Sequence, residues 1–106
     1  MQLKIEDHFL GEVAVKELKQ LKGKLPYPVE VLQAFKKRIY QISQAKNTAD
    51  LRQIGSLHFE KLKEARYEGK YSIRLNKAYR MIFRIENNEI SRLEIICIEE
   101  VNNHYS

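Results

Sequence analysis

Apolar residues in the first half of the chain recur at helical intervals, and after Gly55 the spacing changes to alternation. Leu10, Ala14, Leu18 and Leu21 predict one helix from about Phe9 to Lys22, with Gly23 as its stop and Leu25-Pro26-Tyr27-Pro28 barring continuation. Leu32, Phe35, Ile39 and Ile42 form the stripe of a second helix over 29–45. Lys36, Lys37, Gln41 and Gln44 lie off that stripe, and the triplet Lys36-Lys37-Arg38 reads as a solvated helix face. The stretch NTADLRQIGS predicts a short third helix, capped by Asn47 or Thr48 and ended by Gly55. QLKIE, residues 2–6, suits a short first strand.

The alternating half fixes a register. Tyr71, Ile73 and Leu75 alternate with Ser72, Arg74 and Asn76, while Tyr79, Met81, Phe83 and Ile85 alternate with Arg80, Ile82, Arg84 and Glu86. Opposed residues of an antiparallel pair point the same way. One apolar face therefore requires a three-residue loop, Asn76-Lys77-Ala78, with Tyr79 facing Leu75 and Met81 facing Ile73. The other face then sets Arg80 opposite Arg74, and Arg84 opposite Lys70. Such aligned like charges repel, which favours a ligand over mere solubility as their reason. A third strand follows the Asn87-Asn88 turn signal. Leu93 and Ile95 suit its core side, whereas Ile96 and Ile98 call for a bulge or burial on both sides. The result is a single α+β domain over 1–106: two to three N-terminal helices packed on one face of a twisted antiparallel sheet, with the other face open.

Composition, 43% hydrophobic and 31% charged, excludes a disordered chain. No apolar run reaches the length of a membrane span, and MQLKIEDHFL lacks the layout of a signal peptide, so a cytoplasmic protein with no membrane partner is expected. The lone Cys97, within an apolar stretch, fits a small buried residue in a reducing compartment. Three histidines without ligand spacing make a zinc site an unsuited reading. The net charge of +5 is unevenly placed. Residues 58–84 hold eight Lys/Arg against three Glu, whereas 85–106 hold one Arg against five Glu. The cationic segment is the one that reads as sheet, and it points to an anionic partner.

FEKLK (59–63), a short basic loop, GKYSIRLNKAYRMIFRI (69–85) and the terminal NHY together resemble the RelE/ParE toxin superfamily, nearest its HigB-like and YoeB-like members. The likeness is good over 57–105 and only architectural over the helices. It implies a RelE-like domain that acts as an mRNA interferase of a type II toxin–antitoxin module. Its partners would be a cognate antitoxin and mRNA in the ribosomal A site. It also implies cleavage without metal or cofactor, by attack of the ribose 2′-hydroxyl on the adjacent phosphate to leave a cyclic phosphate and a 5′-hydroxyl. That chemistry needs a base, an acid and cations around the pentavalent phosphorus.

The resemblance assigns these roles by motif. Arg74 and Arg80 match the family's two strand arginines and suit bidentate phosphate contact. Glu60 stands where YoeB-like members carry a glutamate thought to act as base, and HigB-like members a histidine. His104 and Tyr105 match a terminal His-Tyr pair: an imidazole to move a proton and a ring to stack on or bond a nucleotide. Lys61, Lys63, Arg66, Lys70 and Arg84 would grip RNA phosphates. His58 competes for the histidine role, and Tyr67 in the basic loop is a further stacking candidate. Asn102-Asn103 depart from members with an acidic residue before the aromatic and histidine. A gyrase-inhibiting toxin of the ParE kind, without nuclease activity, is the alternative, and a plain nucleic-acid-binding domain is a third. On the leading reading the VNNHYS end is site, not tail.

Overall fold

A computed structural model of the chain describes residues 1–103. The elements run β1 (Gln2–Ile5), α1 (His8–Val15), α2 (Val29–Gln44), α3 (Thr48–Arg52), β2 (Glu60–Lys61), β3 (Tyr71–Arg74), β4 (Arg80–Asn87) and β5 (Glu94–Asn102). The sheet order is β1-β5-β4-β3-β2. The sheet is mixed rather than wholly antiparallel: β1 runs parallel to β5, pairing Gln2 with Ile95 and Ile5 with Ile98. A crossover through the helices brings the chain's start beside its last strand, a long-range pairing that no local pattern encodes.

Both α1 and α2 bury their apolar faces against one side of the sheet. Leu10, Val13, Val31, Leu32, Phe35 and Ile42 meet Ile73, Met81, Phe83, Ile96 and Ile98 in one core. Asp7 caps α1, accepting from the Leu10 amide at 2.9 Å. The helix stops at Val15, earlier than the predicted Lys22. Its freed carbonyls are taken by Lys36, whose Nζ donates to Val13 O at 2.7 Å and Lys16 O at 2.6 Å. The Glu17 amide donates to the Gln20 side chain at 2.9 Å, starting a separate 3-10 turn at Leu18–Gln20. So the triplet on α2 is no simple solvated face: Lys36 and Arg38 both reach backbone carbonyls. Asn47 caps α3 as expected, at 3.1 Å from the Asp50 amide.

The β3–β4 register is the expected one, Ile73 opposite Met81 and Arg74 opposite Arg80. Asn76 Oδ1 closes the loop by accepting from the Ala78 and Tyr79 amides at 2.9 and 2.8 Å. The bulge in β5 is present and can be placed. Phe83 pairs with Ile98 and Ile82 with Glu100, so Glu99 is the extra residue. That residue resolves the IICIEEV pattern. Ile96, Ile98 and Val101 all join the core, and both Glu99 and Glu100 reach partners on the opposite face. Leu93 and Ile95 do not belong to the core side: Leu93 is 51% exposed, and Ile95 pairs with Glu86 on the other face.

That opposite face is only partly open. Leu62 and Tyr67, from the loop between β2 and β3, cover Ile82 in a small second cluster. The Tyr67 hydroxyl donates to Glu100 at 3.2 Å, so this ring is a buried strut and not the stacking platform that the sequence suggested. Cys97 lies buried, with its thiol pushed up by desolvation, as its apolar neighbours implied.

Candidate nucleic-acid interface

Three strand ends place the site. The adjacent pairs Arg74–Arg80 and Arg80–Asn102 set these three residues in one row across β3, β4 and β5. Two residues back along β3, on the same face, Ser72 pairs with Glu60 of β2. Arg80 Nη1 lies 3.7 Å from Glu60 Oε2 and 3.4 Å from Ser72 Oγ. Its side chain is only 13% exposed, so its contacts act in a partly desolvated setting; the Glu60 carboxylate, at 55%, reaches solvent. The end of β5 is held from the helical side, where the Tyr27 hydroxyl donates to Val101 O at 3.2 Å. Burial, then the charges of Asp7 and Glu100, raise the Tyr27 pKa and keep that hydroxyl a donor.

Arg74 has a second neighbour. His58 follows the 3-10 turn Gly55–Leu57 in the left-handed region (φ 47°), and its Nε2 sits 3.3 Å from Arg74 Nη1. A guanidinium only donates, so the ring accepts at Nε2 and, when neutral, carries its proton on Nδ1. Strained backbone of this kind is a feature of functional sites more than of loops at large. Glu60, Arg74, Arg80 and His58 therefore share one end of the open face. His104 and Tyr105 lie outside the described residues. Asn102, two residues before His104, stands across from Arg80.

The expected RNA-binding cations separate into two groups. Lys61 at the end of β2 and Lys63 and Arg66 in the loop after it are exposed, with Arg66 making a surface pair to Glu64 at 3.0 Å. Lys61, Lys63 and Glu64 also line a shallow recess of about 490 Å³ that reaches Gly69. Lys70 and Arg84 face the bulge instead. Glu99 takes Lys70 through one oxygen and Arg84 through the other, at 3.0 Å. Arg84 also binds Glu6 and Glu86, at 2.5 and 2.7 Å. Hydrogen bonds to Glu86, then Glu99 and Glu6, raise the Arg84 pKa, and its charge is matched inside the fold.

Sequence reasoning missed β2, the Ser72 contact and the Glu99 clamp. The first is two residues long and leaves no period. The clamp depends on a bulge whose position the pattern implied but did not fix.

Residues 24–96 match the family described as the RelE-like toxin of the type II toxin–antitoxin system HigB. The chain belongs to this HigB-like family. An uncharacterized protein of Haemophilus influenzae is 38% identical over 66 residues, which cover 62% of this chain and 64% of that protein. The alignment thus spans just under two thirds of that relative. Among solved structures, a YoeB/ParE toxin from Agrobacterium tumefaciens superposes with a TM-score of 0.59, covering 99% of this chain and 100% of its own. At 13% identity that likeness concerns the RelE-like fold alone. The HigB-like match includes β2, β3 and β4, and so Glu60, Arg74 and Arg80; it ends within β5, before His104.

Proposed function

We propose that this HigB-like chain is the toxin of a type II toxin–antitoxin module and inhibits growth as a ribosome-dependent mRNA endonuclease. The observation that carries the reading is the alignment of Arg74 with Arg80 on the face away from the core. Opposed arginines repel, and an RNA phosphate between them would turn that repulsion into paired charge-assisted hydrogen bonds. As the 2′-oxygen attacks, charge grows on the phosphoryl oxygens, where two guanidinium forks stabilise it more than they stabilise the diester. Glu60, half in solvent beside Arg80, acts as the base that takes the 2′-proton. His58, accepting from Arg74, is the alternative base. His104 protonates the departing 5′-oxygen and Tyr105 holds a nucleotide, as the terminal motif implies. Lys61, Lys63 and Arg66 steer the strand. The cognate antitoxin, as the second partner, blocks this face.

The test is codon-phased cutting of mRNA by the purified chain on translating ribosomes. The Arg80→Ala/His104→Gln variant is expected to lose the cuts, and cutting at the wild-type rate by that variant would refute the site. Intact RNA with DNA damage in growth-arrested cells would favour the gyrase-inhibiting alternative.

A further inference from the structure

Arg38 sits midway along α2, half-buried, beside the edge of the sheet. Its three guanidinium nitrogens have separate acceptors. Nε donates to Arg74 O at 3.0 Å, Nη2 to Ser56 O at 3.3 Å, and Nη1 to Gln41 Oε1 at 2.8 Å. The first two acceptors belong to different segments. Arg74 O ends β3, and Ser56 O lies in the 3-10 turn that delivers His58. These are the segments whose side chains meet at 3.3 Å as Arg74 Nη1 and His58 Nε2.

We infer that Arg38 is a positioning residue for the candidate site: one guanidinium, fixed to α2, ties the backbone of Arg74 to the backbone of the turn before His58 and so sets their contact. This rests on the proposed role of Arg74 in holding phosphate. The geometry suits Arg in particular, since its planar fork meets all three acceptors in one fixed orientation, whereas an ammonium on a flexible stem is a point donor that fixes none. Gln41, one turn further along α2, orients the fork by taking Nη1. Partial desolvation lowers the Arg38 pKa, as expected for a cation turned toward neutral carbonyls and away from water. His58 occupies a left-handed conformation that a non-glycine residue adopts at a cost, and the Arg38 bond to Ser56 O holds the turn there together with the buried Leu57.

Nitrogen-15 NMR of the intact chain tests this without RNA. In the wild type the Arg38 Nε–H is expected to exchange slowly with water, and neutral His58 to carry its proton on Nδ1. Arg38→Met and Arg38→Lys are both expected to move His58 toward the Nε2–H form, the lysine because a point ammonium does not fix the orientation of the two carbonyls relative to each other. An Arg38 Nε–H that exchanges as fast as an exposed arginine, or both variants keeping the wild-type tautomer, overturns the inference. The exchange measurement decides even if a variant does not fold. On ribosomes, Arg38→Lys is expected to lower kcat roughly tenfold with KM within about twofold of wild type, as for a displaced catalytic group. A wild-type chain that makes no cuts overturns the proposed function, and the two spectral readouts still decide what Arg38 does.

Discussion

Arg80 and Arg84 stand four residues apart on β4, with side chains on the same face, and their surroundings differ in kind. Arg84 touches Glu6, Glu86 and Glu99, and Glu99 also holds Lys70. Arg80 has Glu60 at 3.7 Å, the Ser72 hydroxyl at 3.4 Å and Arg74 directly opposite. At one end of the face Arg84 and Lys70 share the carboxylates of Glu6, Glu86 and Glu99; at the other, Arg80 lies beside the half-exposed carboxylate of Glu60 and across from a second arginine. A positive surplus along the sequence thus does not say which cations face a ligand. The fold sorts them by surroundings: carboxylates from the residue after β1, from β4 and from the bulge converge on Arg84, whereas Arg80 is set beside Glu60 and opposite Arg74.

The largest expected effect follows from deleting the arginine that stands opposite Arg74. Arg80→Ala should lower the cleavage rate on ribosomes by about 10²–10³, the range for removing one donor aimed at developing charge. The chain should stay folded by circular dichroism. A loss of less than about threefold would mean that Arg80 does not face the developing charge.

The converse change strikes the fold. Arg84→Met leaves Glu6, Glu86 and Glu99 facing each other without their shared cation, and should lower Tm by about 5 °C or more. Cleavage per folded molecule should change little. A thermal scan and a cutting assay on the same sample check both halves. An unmoved Tm with lost activity would reverse the roles of the two arginines.

Much of this is legible in the sequence. The alternation of Tyr71–Leu75 against Tyr79–Ile85 was enough to oppose Arg74 to Arg80, because any other register buries charge. The stripe on α2 was legible for the same reason, since Leu32, Phe35 and Ile42 are fully buried. The carboxylates that match Arg84 were not. Glu6 arrives through a parallel pairing between the two ends of the chain, and Glu99 faces the right way only because of the bulge. Tyr67 was misplaced because a tyrosine in a polar loop gives no sign that the loop folds back over Ile82. Local period is written in the sequence, whereas the meeting of distant segments on one face is not.

A smaller effect tests the clamp through pH. Burial pushes the Glu99 carboxyl up, but hydrogen bonds from Lys70 and Arg84 outweigh it, and the net pKa lies below the ordinary glutamate value. A depressed folded pKa gives stability that is present above the unfolded pKa, about 4.3, and is lost as pH falls through the folded value. Glu86, lowered mainly by its bond to Arg84, acts in the same direction. Wild-type Tm should therefore fall on acidification below about pH 4. Glu99→Gln should be less stable at neutral pH and show a flatter fall between about pH 5 and 3. Parallel curves for the two proteins would remove Glu99 from the clamp.

The smallest effect is also the one that separates the lysines. Each lysine that neutralises a phosphate of single-stranded RNA releases about 0.7 of a counterion, which appears as the slope of log affinity against log salt. Lys61 and Lys63 are exposed beside the recess after β2 and should make such contacts. Lys61→Ala and Lys63→Ala should each reduce the slope by about 0.7 and weaken binding about equally across RNA sequences. Lys70 differs because its ammonium already faces Glu99: a phosphate would have to displace a carboxylate, with no net counterion released. Lys70→Ala should leave the slope unchanged. The measurement is RNA binding from about 50 to 200 mM salt with an Arg80→Ala background to prevent cutting. If Lys70→Ala also lowers the slope, RNA binding opens the Glu99 clamp, and the RNA-binding surface extends along the whole sheet instead of stopping at one end.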